Sequence, residues 1–182
     1  MPREFIPAAK PIIGALERSA VDAVIASGMV VQGPQVAAFE EEFAEQVVGG
    51  VYAVAVNSGT SAQHLATLAS GLPEDAEVIV PSFTFAATGN SVAIAGARPV
   101  FADIDPVTFT LDPASVRASI TDRTAAIEVV HLYGLPANMP EIMRIAEEYG
   151  LAVFEDCAQA HGAAIGSVPV GSFGAWGSFS FY

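Results

Sequence analysis

The sequence contains one cysteine and one lysine in 182 residues, and 7 Lys and Arg stand against 20 Asp and Glu. Each scarcity excludes something. Cys157 alone makes no internal disulfide and no cysteine-based zinc cluster, and no metal site is read from the sequence. A formal net charge of −13 repels a phosphate backbone, because nucleic-acid affinity depends on Lys and Arg neutralising phosphates; no nucleic-acid partner is expected. No apolar run approaches the ~20 residues of a membrane helix, and the first 14 residues carry Glu4 and three prolines where a signal peptide has an apolar stretch. A soluble, cytoplasmic protein without a membrane partner is expected. The sequence also lacks a G-x-G-x-x-G after a strand, a G-x-x-x-x-G-K-[ST], a G-x-S-x-G and an H-E-x-x-H, which argues against nicotinamide, nucleoside-triphosphate, esterase and zincin chemistry.

What is present is a hydrophobic chain, 52% apolar and 15% charged, too apolar for disorder and long enough to bury about 70% of its unfolded surface. Leu16, Ala20, Val24 and Gly28 share one helical face, and Val36, Phe39, Phe43 and Val47 share another, with Gly33-Pro34 between them. Five β-rich runs follow, Val51–Val56, Glu77–Val80, Pro99–Ala102, Ala125–Val130 and Leu151–Phe154, at the interval of a strand-plus-helix unit. Helix signals lie between them: Ser58 and Thr60 before an Ala/Leu-rich stretch, Asp112-Pro113 before Ala114–Ser119, and Asn138 before Met139, Ile142, Met143 and Ala146, ending at Gly150. Strands apolar at nearly every position predict a mostly parallel sheet covered on both faces, an α/β three-layer sandwich. Residues 172–182 alternate small and aromatic side chains like a strand or hairpin, and the chain reads as the front part of a longer protein.

In such sheets ligands sit beyond the carboxyl ends of the strands. Four places there are unusual. Asn57-Ser58-Gly59-Thr60-Ser61-Ala62 opens a helix with a glycine and hydroxyls, which suits either an ordinary N-cap or a phosphate. Phe85 in Pro81-Ser82-Phe83-Thr84-Phe85-Ala86 could stack on a flat ring or pack in the core. Glu155 and Asp156 follow buried apolar positions, and a carboxylate there must be paired or solvated, which marks one of them as functional. His131 and Tyr133 share the same sheet edge, where a structural histidine and a functional one are both open. His64, His161 and Cys157 form no evident triad.

Taken in order, these segments resemble the DegT/DnrJ/EryC1/StrS family of sugar aminotransferases, fold-type-I enzymes dependent on pyridoxal 5′-phosphate (PLP). The resemblance runs from an N-terminal arm (Ile6-Pro7 to Pro11) through Ser27-Gly28 and Gly33-Pro34, NSGTSA at 57–62, PSFTFAAT at 81–88, HLYG at 131–134 and EDCAQAHG at 155–162 to GSFSFY at 177–182. Any one segment is weak; seven in register are specific. The resemblance implies an arm and first helix over 1–34 and, over 35–182, a PLP-binding large domain like that of aspartate aminotransferase, truncated, with the C-terminal small domain missing. It implies that Gly59 and Thr60 hold the cofactor phosphate with help from Ser180, that Phe85 stacks on the ring, that Asp156 pairs with the pyridinium nitrogen, and that Gln159 bonds the ring's phenolic oxygen.

The resemblance further implies a Schiff-base lysine just after Tyr182; Lys10 is not at that position, so no catalytic residue is assigned within the chain and the chain alone is expected to be inactive. The intact protein is expected to be a cytoplasmic homodimer that transfers an amino group, from glutamate as donor, to a nucleotide-linked keto sugar in polysaccharide biosynthesis. The rivals are a sugar dehydratase of the same family, which uses the amino form of the cofactor, pyridoxamine 5′-phosphate (PMP), and a catalytically silent or regulatory fragment.

Overall fold

The structure is a computed structural model and describes Phe5 and residues 10–182. Of the arm expected at Ile6 to Pro11, residues 6–9 lie outside the described residues. The chain divides into two compact units, Met1–Phe39 and Glu40–Tyr182. In the first, helix α1 (Ala15–Ser27) opens where the Gly14 N–H donates to the Glu17 carboxylate at 2.6 Å and closes at Gly28, whose φ is +69°. Helix α2 (Pro34–Gln46) starts at the Gly33-Pro34 break, with proline in the first turn where its missing N–H costs nothing.

The second unit contains five strands that pair in parallel throughout: β1 (Glu77–Pro81), β2 (Arg98–Ala102), β3 (Thr124–Val130), β4 (Ala152–Asp156) and β7 (Trp176–Ser178), in the sheet order β2-β1-β3-β4-β7. A small antiparallel hairpin, β5 (Ala164–Ile165) with β6 (Val168–Pro169), precedes β7. Period-two alternation sends successive strand residues to opposite faces. Ile79, Ile127, Val129 and Val153 pack on one face against Val116 of α5 (Pro113–Ser119) and against Met139, Ile142, Ile145 and Ala146 of α6 (Met139–Tyr149). Val78, Val80, Ala126 and Phe154 pack on the other against Val92 of α4 (Ala87–Ile94), and α3 (Gly59–Ala69) reaches α4 through Gln63 and Ser91. Three layers result, as the sequence pattern predicts. The caps are those expected: Ser58, Asp112 and Asn138 accept first-turn N–H groups of α3, α5 and α6, and Gly150 at φ +68° ends α6.

The expectation of a strand over Val51–Val56 is overturned. That run forms no ladder among the described residues; Tyr52 and Val54 are exposed, and the Ala55 N–H donates instead to the Glu40 carboxylate at 2.7 Å. An apolar run becomes a strand only where a neighbour completes the ladder. Similarly, only Trp176–Ser178 of residues 172–182 is strand. The strand expected to end at Phe154 runs on to Asp156, because the last two residues still pair, Glu155 with Gly177 and Asp156 with Ser178.

Candidate cofactor site

That two-residue extension decides where the acids point. Asp156 shares the face of Phe154, toward α3 and α4, whereas Glu155 shares the face of Val153, toward α6. Asp156 is buried, yet it is well supplied with donors. The Thr88 hydroxyl donates to Oδ2 at 2.9 Å and the Ala158 N–H donates to Oδ1 at 3.1 Å, and the nearby Gln63 amide also favours the charged form. Thr84 extends this chain through its hydroxyl, 3.0 Å from that of Thr88. Burial nevertheless pushes the Asp156 carboxyl above the usual carboxylate range, the hydrogen bonds it accepts offsetting this in part. A buried carboxylate in that condition gains most from a cation placed against it.

Gln63 links Asp156 to the start of α3, since Gly59 lies one helical turn earlier, about 6 Å along the axis. Ser58 caps the helix by accepting the Ser61 N–H at 3.1 Å, and its carbonyl takes the Ala62 N–H at 3.0 Å. The Gly59 and Thr60 N–H groups therefore have no acceptor among the described residues, at the positive end of the helix dipole, which is the arrangement that receives phosphate. Ser180 closes the other side: a Cβ on Gly59 would lie 2.9 Å from the Ser180 Cβ and 3.2 Å from its hydroxyl oxygen. That oxygen accepts the Tyr182 N–H at 3.3 Å, leaving the hydroxyl hydrogen to donate outward. Gly59→Ala is expected to force helix and loop apart and to cost about 1–3 kcal/mol, measured as a lower denaturation midpoint. An unchanged midpoint would show that the approach is not tight.

Phe85 is 77% exposed, which removes the core-packing alternative for it; the ring stands on the loop between β1 and α4, next in sequence to Thr84. Gln159 accepts the Tyr133 N–H at 3.0 Å through Oε1, so its amide nitrogen remains to donate. The tight turn of HLYG makes that contact: Tyr133 sits at φ +54°, and a Cβ on Gly134, at φ +86°, would lie 3.3 Å from the Gln159 carbonyl oxygen. Ser180 thus approaches Gly59 at the start of α3, Gln63 of the same helix lies near Asp156, and Phe85 and Gln159 stand on loops leaving the same end of the sheet.

His131 and Glu155 belong to the scaffold. The ring's Nδ1 accepts the Ala137 N–H at 3.0 Å, which puts the proton on Nε2, and that N–H donates to Glu155 Oε2 at 3.0 Å. Glu155 also accepts the N–H groups of Gly171, Phe173 and Gly174, each at 2.8 Å, and so fastens the loop that leads into β7. His131, Glu155 and Cys157 offer ligand atoms within 4.8 Å of one another. Their donors and acceptors are nevertheless engaged, and burial pushes the Cys157 thiol up, away from the thiolate a metal needs. His161 stands among the rings of Phe43, Phe179 and Phe181, and burial lowers its basicity. Thr88, bonded to Asp156, and Gln63 near it, both buried, were not singled out by sequence; the signal for Gln63 was its place one turn after Gly59.

The fold defines an α/β protein in which the start of a helix and a buried carboxylate both lie at the carboxyl end of a mostly parallel sheet. The chain belongs to the DegT/DnrJ/EryC1/StrS aminotransferase family, whose model matches residues 11–182. It is 42% identical over 178 residues to the spore coat polysaccharide biosynthesis protein SpsC of Bacillus subtilis (strain 168), covering 98% of this chain and 46% of that protein. It is 50% identical over 150 residues to a UDP-N-acetyl-3-dehydro-alpha-D-glucosamine 3-aminotransferase of Acidithiobacillus ferrooxidans, covering 82% of this chain and 40% of that protein. Among solved structures, an E coli GDP-4-keto-6-deoxy-D-mannose-3-dehydratase with bound hydrated PLP superposes with a TM-score of 0.90 at 33% identity, over 97% of this chain and 46% of that one. The chain spans less than half the length of the curated relatives it matches.

Proposed function

We propose that the protein carrying this chain is a PLP-dependent aminotransferase that moves an amino group from glutamate to a keto group of a nucleotide-linked sugar. The observation that carries it is the buried Asp156 carboxylate, which accepts from Thr88 and Ala158 and has Gln63 nearby, together with the start of α3 one helical turn before Gln63, where Ser180 closes over Gly59. Such a site fits a ligand with a cation at one end and a phosphate at the other, and pyridoxal 5′-phosphate is of that kind. Bound there, the cofactor would supply an electron sink for bond breaking next to the transferred nitrogen.

The residues of the chain take the roles their positions allow. Gly59 and Thr60 N–H groups, with the Thr60 and Ser180 hydroxyls, hold the phosphate. Asp156 keeps a proton on the ring nitrogen, because a carboxylate against a cationic nitrogen favours both charged states. Gln159 donates its free amide to the ring's phenolic oxygen, and Phe85 covers the ring and excludes water. Residues 35–182 are the cofactor-binding large domain and 1–34 the arm and first helix. Exposed Leu16, Val21 and Ile25 on α1 support a homodimer. No helix among the described residues is long and apolar enough to cross a membrane. The 50% identity to a nucleotide-sugar 3-aminotransferase supports the substrate class.

The likeness to a 3-dehydratase favours one second reading, loss of water from the sugar. The protein that contains this chain, given glutamate and a UDP-linked 3-keto sugar, is expected to yield 2-oxoglutarate and an amino sugar in equal amounts. A product that has lost oxygen and gained no nitrogen, seen by mass spectrometry, would establish the dehydratase instead. For the chain itself, PMP at a hundred times its dissociation constant is expected to stabilise by about 3 kcal/mol. No shift of the thermal midpoint at millimolar PMP would count against the site.

A further inference from the structure

A second buried carboxyl lies on the strand next to that of Asp156. Glu128 of β3 pairs in register with Phe154, two residues before Asp156 on the neighbouring strand, so both acids project from the same face of the sheet. The Glu128 side chain is fully buried, and neither of its oxygens meets a hydrogen-bond partner. The surroundings explain why that matters. The buried residues that β1, α4, α3 and β7 carry on this side of the sheet are Val78 and Val80, Thr88, Ser91 and Val92, Gln63 and Thr67, and Ser178, all uncharged. Asp156 is the one charged group that acts on Glu128 among the described residues.

We propose that Glu128 and Asp156 form a buried two-carboxyl unit that carries a single negative charge, with the proton on Glu128 and the charge on Asp156, where it faces the cationic end of the ligand. An isolated carboxylate in an apolar interior neutralises rather than remain charged, and two like charges on adjacent strands resist double ionisation. The donors decide which acid keeps the proton. Asp156 accepts from Thr88 and Ala158 and has the Gln63 amide nearby, all of which favour its charged form, whereas nothing donates to Glu128. Divergent environments of this sort assign opposite protonation states to two neighbouring acids. Burial and the Asp156 charge both push the Glu128 carboxyl well above the usual range. Glu128 is thus a positioning residue: it touches no ligand, and its neutrality leaves Asp156 ionised. The inference about the proton stands on the unliganded protein; its bearing on the ligand rests on the assignment of Asp156 above.

Infrared spectroscopy of the unliganded protein at pH 7 reads the proton directly. A protonated-carboxyl stretch is expected that shifts on carboxyl-13C labelling of glutamate, not of aspartate, is missing from Glu128→Gln and persists in Asp156→Asn. A band that follows aspartate, or no band, overturns the proposal, and the isotope test requires no variant to fold. Because a glutamine side chain matches a neutral glutamic acid in shape and charge, Glu128→Gln is expected to leave the PMP dissociation constant at pH 7 within about twofold. A tenfold change would mean that Glu128 is ionised beside the ligand. Asp156→Asn binding PMP as tightly as the parent would overturn the ligand assignment while leaving the infrared result to decide the proton.

Discussion

Glu155→Ala is expected to lower the stability of the protein by about 3–5 kcal/mol, the range for removing one member of a buried hydrogen-bonded pair. The carboxylate holds His131 Nε2 and the N–H groups of Gly171, Phe173 and Gly174, so alanine strands four donors at once. The loop has little other freedom. A Cβ on Gly174 would lie 2.3 Å from the Val153 carbonyl oxygen, and the Ala175 N–H donates to that same oxygen at 2.7 Å. Released from Glu155, the loop would no longer set β7 beside β4, and Ser178 ends β7 with Ser180 two residues beyond it. Loss of stability and loss of PMP binding are therefore expected together. Glu155→Gln keeps one acceptor oxygen and is expected to fall between alanine and the parent in urea unfolding. If alanine costs under about 1 kcal/mol, the loop is held by its backbone packing and Glu155 is dispensable.

Folded-state protonation of Glu128 carries its own stability signature. A carboxyl whose folded pKa is raised binds more protons in the native state than in the unfolded one between the two values. Its stabilising contribution is full below the unfolded value near 4.3 and is lost as pH rises toward the folded one. The unfolding equilibrium constant of the parent should thus grow by up to about tenfold per pH unit above that point relative to Glu128→Gln. Parallel pH profiles for the two proteins would contradict the raised pKa.

The alternation that separates Glu155 from Asp156 was not legible in the sequence, because both acids were placed beyond a strand that in fact includes them. Once the strand runs to Asp156, period two assigns one acid to the candidate site and the other to the scaffold. The helices with distinct caps, α3, α5 and α6, were readable from Ser58, Asp112 and Asn138, since those side chains satisfy first-turn N–H groups locally. Helix α4 escaped notice for a physical reason. Its sequence, ATGNSVAI, has no clear apolar period, because Thr88, Gly89 and Ser91, small or polar groups, are buried beside Ala87 and Val92, with Thr88 serving Asp156. Val51–Val56 failed the other way: a β-rich composition records the burial a segment could accept, whereas the ladder depends on a neighbour that sequence pattern cannot supply. The segments at 57–62, 81–88, 131–134 and 155–162 were readable as a set because each surrounds a special backbone or a polar contact at the same end of the sheet.

Asp156→Asn is expected to weaken PMP binding by about 2–5 kcal/mol, at least thirtyfold in dissociation constant, as when one partner of a buried charge pair is removed. Unliganded stability should change little by comparison. Asparagine retains one acceptor for Thr88 or Ala158 and removes a charge that burial opposes, two effects of opposite sign. The pH dependence provides the sharper discrimination. Because burial raises the Asp156 pKa in the free protein, the carboxylate that attracts a cationic ring becomes available only as pH rises through that raised value. PMP affinity of the parent should therefore increase with pH across that interval. The ligand's own phosphate titrates near pH 6 in both proteins, so the ratio of the two dissociation constants isolates the Asp156 contribution. That ratio is expected to climb with pH and then level off once Asp156 is ionised. A ratio near one at every pH would show that the ring nitrogen does not meet Asp156, and the phosphate-binding end at Gly59, Thr60 and Ser180 would have to be paired with a different ring site.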